Sequence, residues 1–247
     1  MSLDLSTIRI VLVQAQTPEN IGMAARAMKN CGLSRLVLVR PADFRSAAAY
    51  RPAMEAFPLL DGAEVHAELL PAIGDSRLVI GTTRRGGQDR RPLITPAELV
   101  REVLPRARGE EISILFGGEK DGLSRDAVDR CDVLVTIPAH ADFPSFNLAQ
   151  AVLLVGYEIF RGGAERRADA EQPALATSSS REDLYRHLES VLQRVGFLHE
   201  NNPGRILSTV RRLFGRAMLE DREVRILRGM LSQLEWALNR AREGEGK

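Results

Sequence analysis

At 247 residues the chain is long enough to bury a full core, as one large domain or as one domain with a smaller companion. A formal net charge of +1 excludes a global polyelectrolyte account of nucleic-acid binding, so any such surface must be a local patch. The two cysteines, Cys31 and Cys131, and the four histidines lack metal-ligand spacing, which leaves a reduced, disulfide-free protein as the simplest reading.

Arginine supplies nearly all the cations, the lysines being Lys29, Lys120 and Lys247. That suits bidentate phosphate contacts, and arginine-rich coding bias explains it equally well. Residues 1–7 are polar, and the apolar run 8–13 is too short for a signal-peptide core. No apolar run approaches the roughly 20 residues of a membrane span, so a cytoplasmic protein is expected.

In chain order, strand-like apolar runs occur at 8–13, 36–39, 78–80, 112–116 and 133–137, each bounded by Gly, Pro or Asp. Helical patterns lie between them at about 20–31, 47–60, 96–104 and 124–130, with a long one at 147–160. This alternation predicts an α/β domain: a mostly parallel sheet with helices on both faces. Residues 162–180 (GGAERRADAEQPALATSSS) lose apolar periodicity and read as a flexible linker. Beyond it the pattern is purely helical. One stripe runs through Leu184, Leu188, Val191, Leu192 and Val195, a second through Ile206, Val210, Leu213 and Phe214, and a third through Val224, Leu227, Leu231, Leu234 and Leu238. The expected division is a domain over 1–161, a linker over 162–180 and a helical extension over 181–247.

Four segments carry candidate chemistry. The first strand leads into Thr17-Pro18-Glu19-Asn20-Ile21-Gly22, with Arg26 four residues after Gly22 on a face apart from the buried stripe Ile21, Ala24, Ala25 and Met28. A solvated arginine and an Asn cap explain this, and so does a guanidinium placed to hold a phosphate or a developing oxyanion. The strand ending at Phe116 breaks into Gly117-Gly118-Glu119, either a plain tight turn or a loop that admits a ligand to the backbone while the acid orients a polar group.

The strand 133–137 enters a long loop, from Ile137-Pro138 to Pro144-Ser145-Phe146-Asn147, before an alanine-rich helix. Ser145 and Asn147 serve as helix caps, or the loop wraps a ligand. Finally, Gly81-Thr82-Thr83-Arg84-Arg85 passes into a basic loop with Arg90 and Arg91, either solvated or in contact with a phosphate backbone. Strands running into small-residue loops at their carboxyl ends are where open α/β sheets bind ligands. There is no G-x-G-x-x-G after the first strand, no P-loop, no nucleophile elbow, no C-x-x-C and no H-E-x-x-H.

Taken together, Asn20-x-Gly22-x-x-x-Arg26, Gly118-Glu119-x-x-Gly122 and Ile137-Pro138 through Ser145-x-Asn147 resemble the three motifs of the SpoU/TrmH branch of the SPOUT methyltransferases. Gly196-Phe197, Glu200-Asn201, Pro203-Gly204, Arg211-Arg212-Leu213-Phe214 and Ile226-Leu227-Arg228-Gly229 extend the likeness to the tRNA 2′-O-ribose methyltransferases of that branch. The resemblance implies a parallel sheet with a C-terminal deep trefoil knot, which ordinary topology rules would not propose. It also implies bound S-adenosylmethionine, a homodimer with catalytic residues from both chains, and methyl transfer to the ribose of tRNA position 32.

Carried over residue by residue, the resemblance gives cofactor loops at Thr82, Thr83 and Arg84, at Gly117 and Gly118, at Ile137, and at Pro144, Ser145 and Phe146. The catalytic set it implies is Arg26, Ser145, Asn20, Glu119 and Asn147, with RNA contacts from Arg26, Arg84, Arg85, Arg90 and Arg91. Where some relatives carry a tyrosine just ahead of the motif-three serine, this chain has Phe143 and then Pro144, so no phenolic hydroxyl is present there, though base stacking would survive. An rRNA 2′-O-methyltransferase and a noncatalytic RNA-binding protein on the same fold are the alternatives.

Overall fold

The structure is a computed structural model that describes residues 4–84, 93–107, 109–163, 174–198 and 203–245. Its frame is a seven-stranded sheet in the order β3-β2-β1-β6-β4-β7-β5. The strands are β1 (Ile8–Val13), β2 (Arg35–Val39), β3 (Glu64–His66), β4 (Leu78–Thr82), β5 (Leu93–Ile94), β6 (Ile112–Gly117) and β7 (Val133–Val135). All the pairings are parallel.

Strand periodicity explains the two-faced core. Ile8, Ile10 and Leu12 of β1 join Leu36, Leu38, Ile80, Ile114 and Phe116 on one face. Helices α1 (Pro18–Asn30) and α7 (Leu148–Gly163) cover that face through Ile21, Ala24, Ala25, Met28, Val152, Val155 and Ile159. Val11, Val13, Val37, Val79 and Leu115 point to the other face. There they meet Leu69, Ala72 and Ile73 of α4 (Leu69–Ile73) and Ala127 of α6 (Arg125–Asp129).

The helical pattern over 47–60 is broken into α2 (Ala47–Ala53), a 3-10 turn (Met54–Ala56) and α3 (Phe57–Asp61). Pro52 removes a helix donor and Met54 adopts φ 50°, which ends the first helix. The pattern at 96–104 is likewise composite, with α5 (Pro96–Glu98) running into a π-helical turn (Leu99–Val103). Strands β3 and β5 have no long apolar run, being three- and two-residue edge strands. Strand β7 stops at Val135, short of Ile137, because its edge partner β5 pairs with it at two positions only.

The C-terminal helices are α8 (Ser178–Arg194), α9 (Pro203–Ala217) and α10 (Asp221–Glu245), around a small core of Ala176, Leu184, Val191, Leu219, Val224 and Leu231. Val195, Leu213 and Leu234, read as members of the same stripes, are exposed, since a three-helix layer covers only a narrow face of each helix. The end of the expected linker is packed rather than loose: Leu175 bridges to Glu220, and Leu175 and Ala176 are buried.

Arg181, 4% exposed, fastens this layer to the amino edge of the sheet. It donates to Asp132 Oδ2 at 2.7 Å, to the Arg77 carbonyl at 2.9 Å and to the Ala176 carbonyl at 2.7 Å. Arg77 in turn donates to Asp221 at 2.7 Å and to the Leu175 carbonyl at 2.6 Å. Among the described residues no helix is long and apolar enough to cross a membrane.

Candidate functional site

At the carboxyl ends of β4, β6 and β7 the loops enclose a cleft of about 470 Å³. That is the size of a small-molecule site. Three segments distant in sequence make its walls. Thr82, Thr83 and Arg84 come from the end of β4, Gly117, Gly118 and Glu119 from the end of β6, and Ile137 with Pro144, Ser145, Phe146 and Asn147 from the loop after β7. The first wall is tied down by Thr82, whose hydroxyl donates to the Leu115 carbonyl at 2.9 Å, and by the Thr83 amide, which donates to the Val135 carbonyl at 2.9 Å.

The glycine wall is dictated by close approach. Gln14 adopts φ 57° at the end of β1, and a Cβ on Gly118 would stand 2.3 Å from its carbonyl oxygen. A Cβ on Gly117 would stand 2.0 Å from the Gly122 carbonyl carbon. Neither space admits a side chain, so the turn must be glycine and its backbone faces the cleft directly.

Glu119 then reaches back to the start of α1. Its carboxylate accepts from the Gln16 amide at 3.0 Å, the Thr17 amide at 3.2 Å and the Asn20 side-chain amide at 2.8 Å. The Asn20 carbonyl oxygen accepts from Asn147 Nδ2 at 2.8 Å, and Asn147 Oδ1 caps α7 by accepting from the Ala149 amide at 2.9 Å. One hydrogen-bonded chain thus joins all three motifs. Desolvation is the largest single influence on Glu119 and pushes its pKa up, but the hydrogen bonds from Gln16, Asn20, its own amide and Thr17 together prevail. The carboxyl is held below its ordinary value, ionised and committed as an acceptor.

The other sequence candidates are placed differently. Ser145 is exposed on the cleft wall and its hydroxyl has no hydrogen-bond partner among the described residues. Arg26 is exposed on α1, does not line the cleft of its own chain, and makes no hydrogen bond or ion pair with the described residues. Arg85, Arg90 and Arg91 lie outside the described residues. Sequence reasoning missed Val135, Leu148 and Ala151, which give the cleft an apolar floor, and Lys120 at its rim, where Phe143 also stands. The floor residues were legible only as core positions.

Residues 7–157, which contain the whole cleft, match the SpoU rRNA Methylase family. The chain belongs to the SpoU methylase family. Residues 180–245, which contain α8 to α10, match the C-terminal domain of the tRNA methyltransferase TrmJ. The tRNA (cytidine/uridine-2′-O-)-methyltransferase TrmJ of Sodalis glossinidius is 38% identical over 94% of this chain and 92% of its own length. The tRNA (cytidine/uridine/adenosine-2′-O-)-methyltransferase TrmJ of Pseudomonas aeruginosa is 37% identical over 94% of this chain and 95% of its own. The crystal structure of TrmJ from Z. mobilis superposes with a TM-score of 0.80 at 35% identity, covering 92% of this chain and 98% of that one.

The SpoU methylase cleft fits a bulky, mixed-polarity cofactor. Ile137, Val135, Leu148 and Ala151 offer an apolar bed for a flat ring, while the side-chain-free Gly117–Gly118 backbone leaves room for a close approach.

Proposed function

We propose that this SpoU methylase transfers a methyl group from S-adenosylmethionine to the ribose 2′-hydroxyl of tRNA at position 32, as a cytoplasmic homodimer. One observation carries the reading: the motif-two and motif-three loops line a single cleft, and the Glu119–Asn20–Asn147 chain ties motif one to both. The names of relatives that match along nearly the whole chain supply the reaction and the class of RNA.

S-adenosylmethionine, when bound, supplies a methyl group activated on a sulfonium. The chain's own residues must position a weakly nucleophilic hydroxyl and help it shed its proton. Thr82, Thr83, the Gly117–Gly118 backbone, Ile137, Pro144 and Phe146 would hold the cofactor. Ser145, exposed on the cleft wall, would orient the reacting groups. The Glu119–Asn20–Asn147 chain keeps the motif-three loop in register with the glycine turn.

Arg26 is a permanent cation, so its role is to anchor a phosphate or stabilise a developing oxyanion rather than to act as a base. Its absence from its own cleft agrees with service to a second subunit. Beside it, Met23 of α1 and Leu153, Leu154, Tyr157 and Phe160 of α7 form an exposed apolar surface suited to a second copy. Arg84 lines the cleft as an exposed cation and would meet the RNA backbone. The division into a methyltransferase domain over 1–161 and a helical extension over 181–247, and the trefoil knot, belong to the same reading.

The test is transfer from labelled S-adenosylmethionine to unmodified tRNA transcripts, with ribosomal RNA fragments as comparison and nuclease mapping of the product. Label at the position-32 ribose supports the reading, and label confined to ribosomal RNA replaces the substrate. Arg26→Ala is expected to abolish transfer while leaving cofactor affinity intact; wild-type turnover in that variant overturns its role.

A further inference from the structure

Among the described residues, the most exposed large hydrophobic is Phe143, at 77%, and it stands on the rim of the cleft beside Pro144 and Ser145. The ring is not there by slack. The Phe143 amide donates to the His140 carbonyl at 3.1 Å and the Asp142 amide to His140 Nδ1 at 3.3 Å, which closes a turn over 140–143. Pro144 then restricts the Phe143 backbone to extended conformations. A built turn therefore presents a phenyl group to water at the mouth of the site.

The surroundings say what would cover it. The cleft lining also carries Arg84 and Lys120 alongside Glu119 and Asp121, so a flat apolar face has two cations within the same lining. That pairing suits a nucleotide: the base stacks on the ring while cations take its phosphates. The ring is also next to Ser145, on the wall where the ribose must be presented.

Resting on the reading above, we propose that Phe143 is the platform on which the base of the target nucleotide stacks, fixing the ribose at the cleft mouth. A phenyl group has no donor or acceptor, so it holds any base by its face and reads none. Phe143 contributes affinity and alignment for the target nucleotide, and base preference arises at other residues.

The experiment compares wild type with Phe143→Ala, Phe143→Leu and Phe143→Trp. It measures kcat/KM on tRNA transcripts, cofactor binding by calorimetry, mass by sedimentation, and quenching of 2-aminopurine placed at the target position. Loss of the ring is expected to lower kcat/KM roughly 5- to 150-fold, the span of one base–aromatic stack. The Leu variant keeps apolar bulk and falls with Ala, whereas Trp restores activity. Quenching is expected with wild type and Trp only, with cofactor affinity and mass unchanged throughout.

Unchanged kcat/KM and unchanged quenching in the Ala variant overturn the proposal. So does a loss of cofactor affinity, which would seat the ring on the cofactor, or a change of mass, which would seat it on a second copy. Wild-type enzyme that methylates no RNA removes the underlying reading instead, and quenching still decides whether the ring meets the base.

Discussion

The hydrogen-bonded chain from Glu119 through Asn20 to Asn147 makes a quantitative prediction, because its members act in series. In Glu119→Gln, one carboxylate oxygen becomes an NH₂ group. The oxygen that accepts from Thr17 and Asn20 can be kept, but the other position then sets a donor against the Gln16 amide. A charge-assisted bond is lost and a donor is left facing a donor, which costs about 1–3 kcal/mol, towards the lower end because Glu119 is partly solvated. Asn147→Ala removes the Asn20 contact and the cap on α7, a loss of similar size.

If both substitutions act by releasing the motif-three loop, the second finds little left to release. Expressed as kcat/KM for methyl transfer, each single variant should fall roughly 5- to 150-fold, and the double variant should resemble the worse single one. The coupling energy is then at least about 1 kcal/mol, the range found for residues in one network. The assay is a double-mutant cycle on kcat/KM, with cofactor binding measured calorimetrically on all four proteins. Multiplicative losses, with no coupling, would refute the idea that Glu119 acts through Asn20 and Asn147.

Two further outcomes are expected. Arg181→Met leaves the Asp132 carboxylate buried without its cation and orphans two carbonyl acceptors, so urea unfolding should show a loss of about 3–5 kcal/mol; a shift under 1 kcal/mol would mean that the anchor is solvated. Glu119, with its pKa below the ordinary 4.5, contributes stability that is fully present above that value and is lost as the pH falls through the depressed folded pKa. The difference in thermal midpoint between wild type and Glu119→Gln should therefore be constant near neutrality and close in acid; a difference that persists in strong acid would assign the effect to shape rather than charge.

Much of the frame was legible because it is written in local periodicity. The apolar runs of β1, β4 and β6 and the stripe Ile21, Ala24, Ala25, Met28 announce faces that bury themselves in any globular context. Edge strands β3 and β5 were not legible, since their short pairing needs a neighbour rather than an apolar run. The break at Met54 depends on a backbone angle that no composition encodes.

The site divides the same way. Its loops could be named from glycines and from strand ends, and the family likeness supplied the roles. The Glu119–Asn20 and Asn20–Asn147 contacts span 99 and 127 residues and exist only once the sheet order has brought β1 beside β6. For the same reason nothing in the local pattern marks Arg181, although it is among the most buried polar residues described.

The anchoring of the C-terminal helices at the amino edge of the sheet sets a length scale. Asp132 at the anchor and Val135 at the cleft lie at opposite ends of three-residue β7, and Arg77 and Thr82 at opposite ends of five-residue β4, so anchor and cleft floor stand about 10–17 Å apart. That is the rise of about three to five stacked nucleotides. A nucleotide seated in the cleft is therefore several nucleotides away from the point where the helices are anchored. Turnover of minimal RNA fragments and turnover of whole RNA report on different portions of the molecule, with the ratio between them a ruler for how far the grip extends.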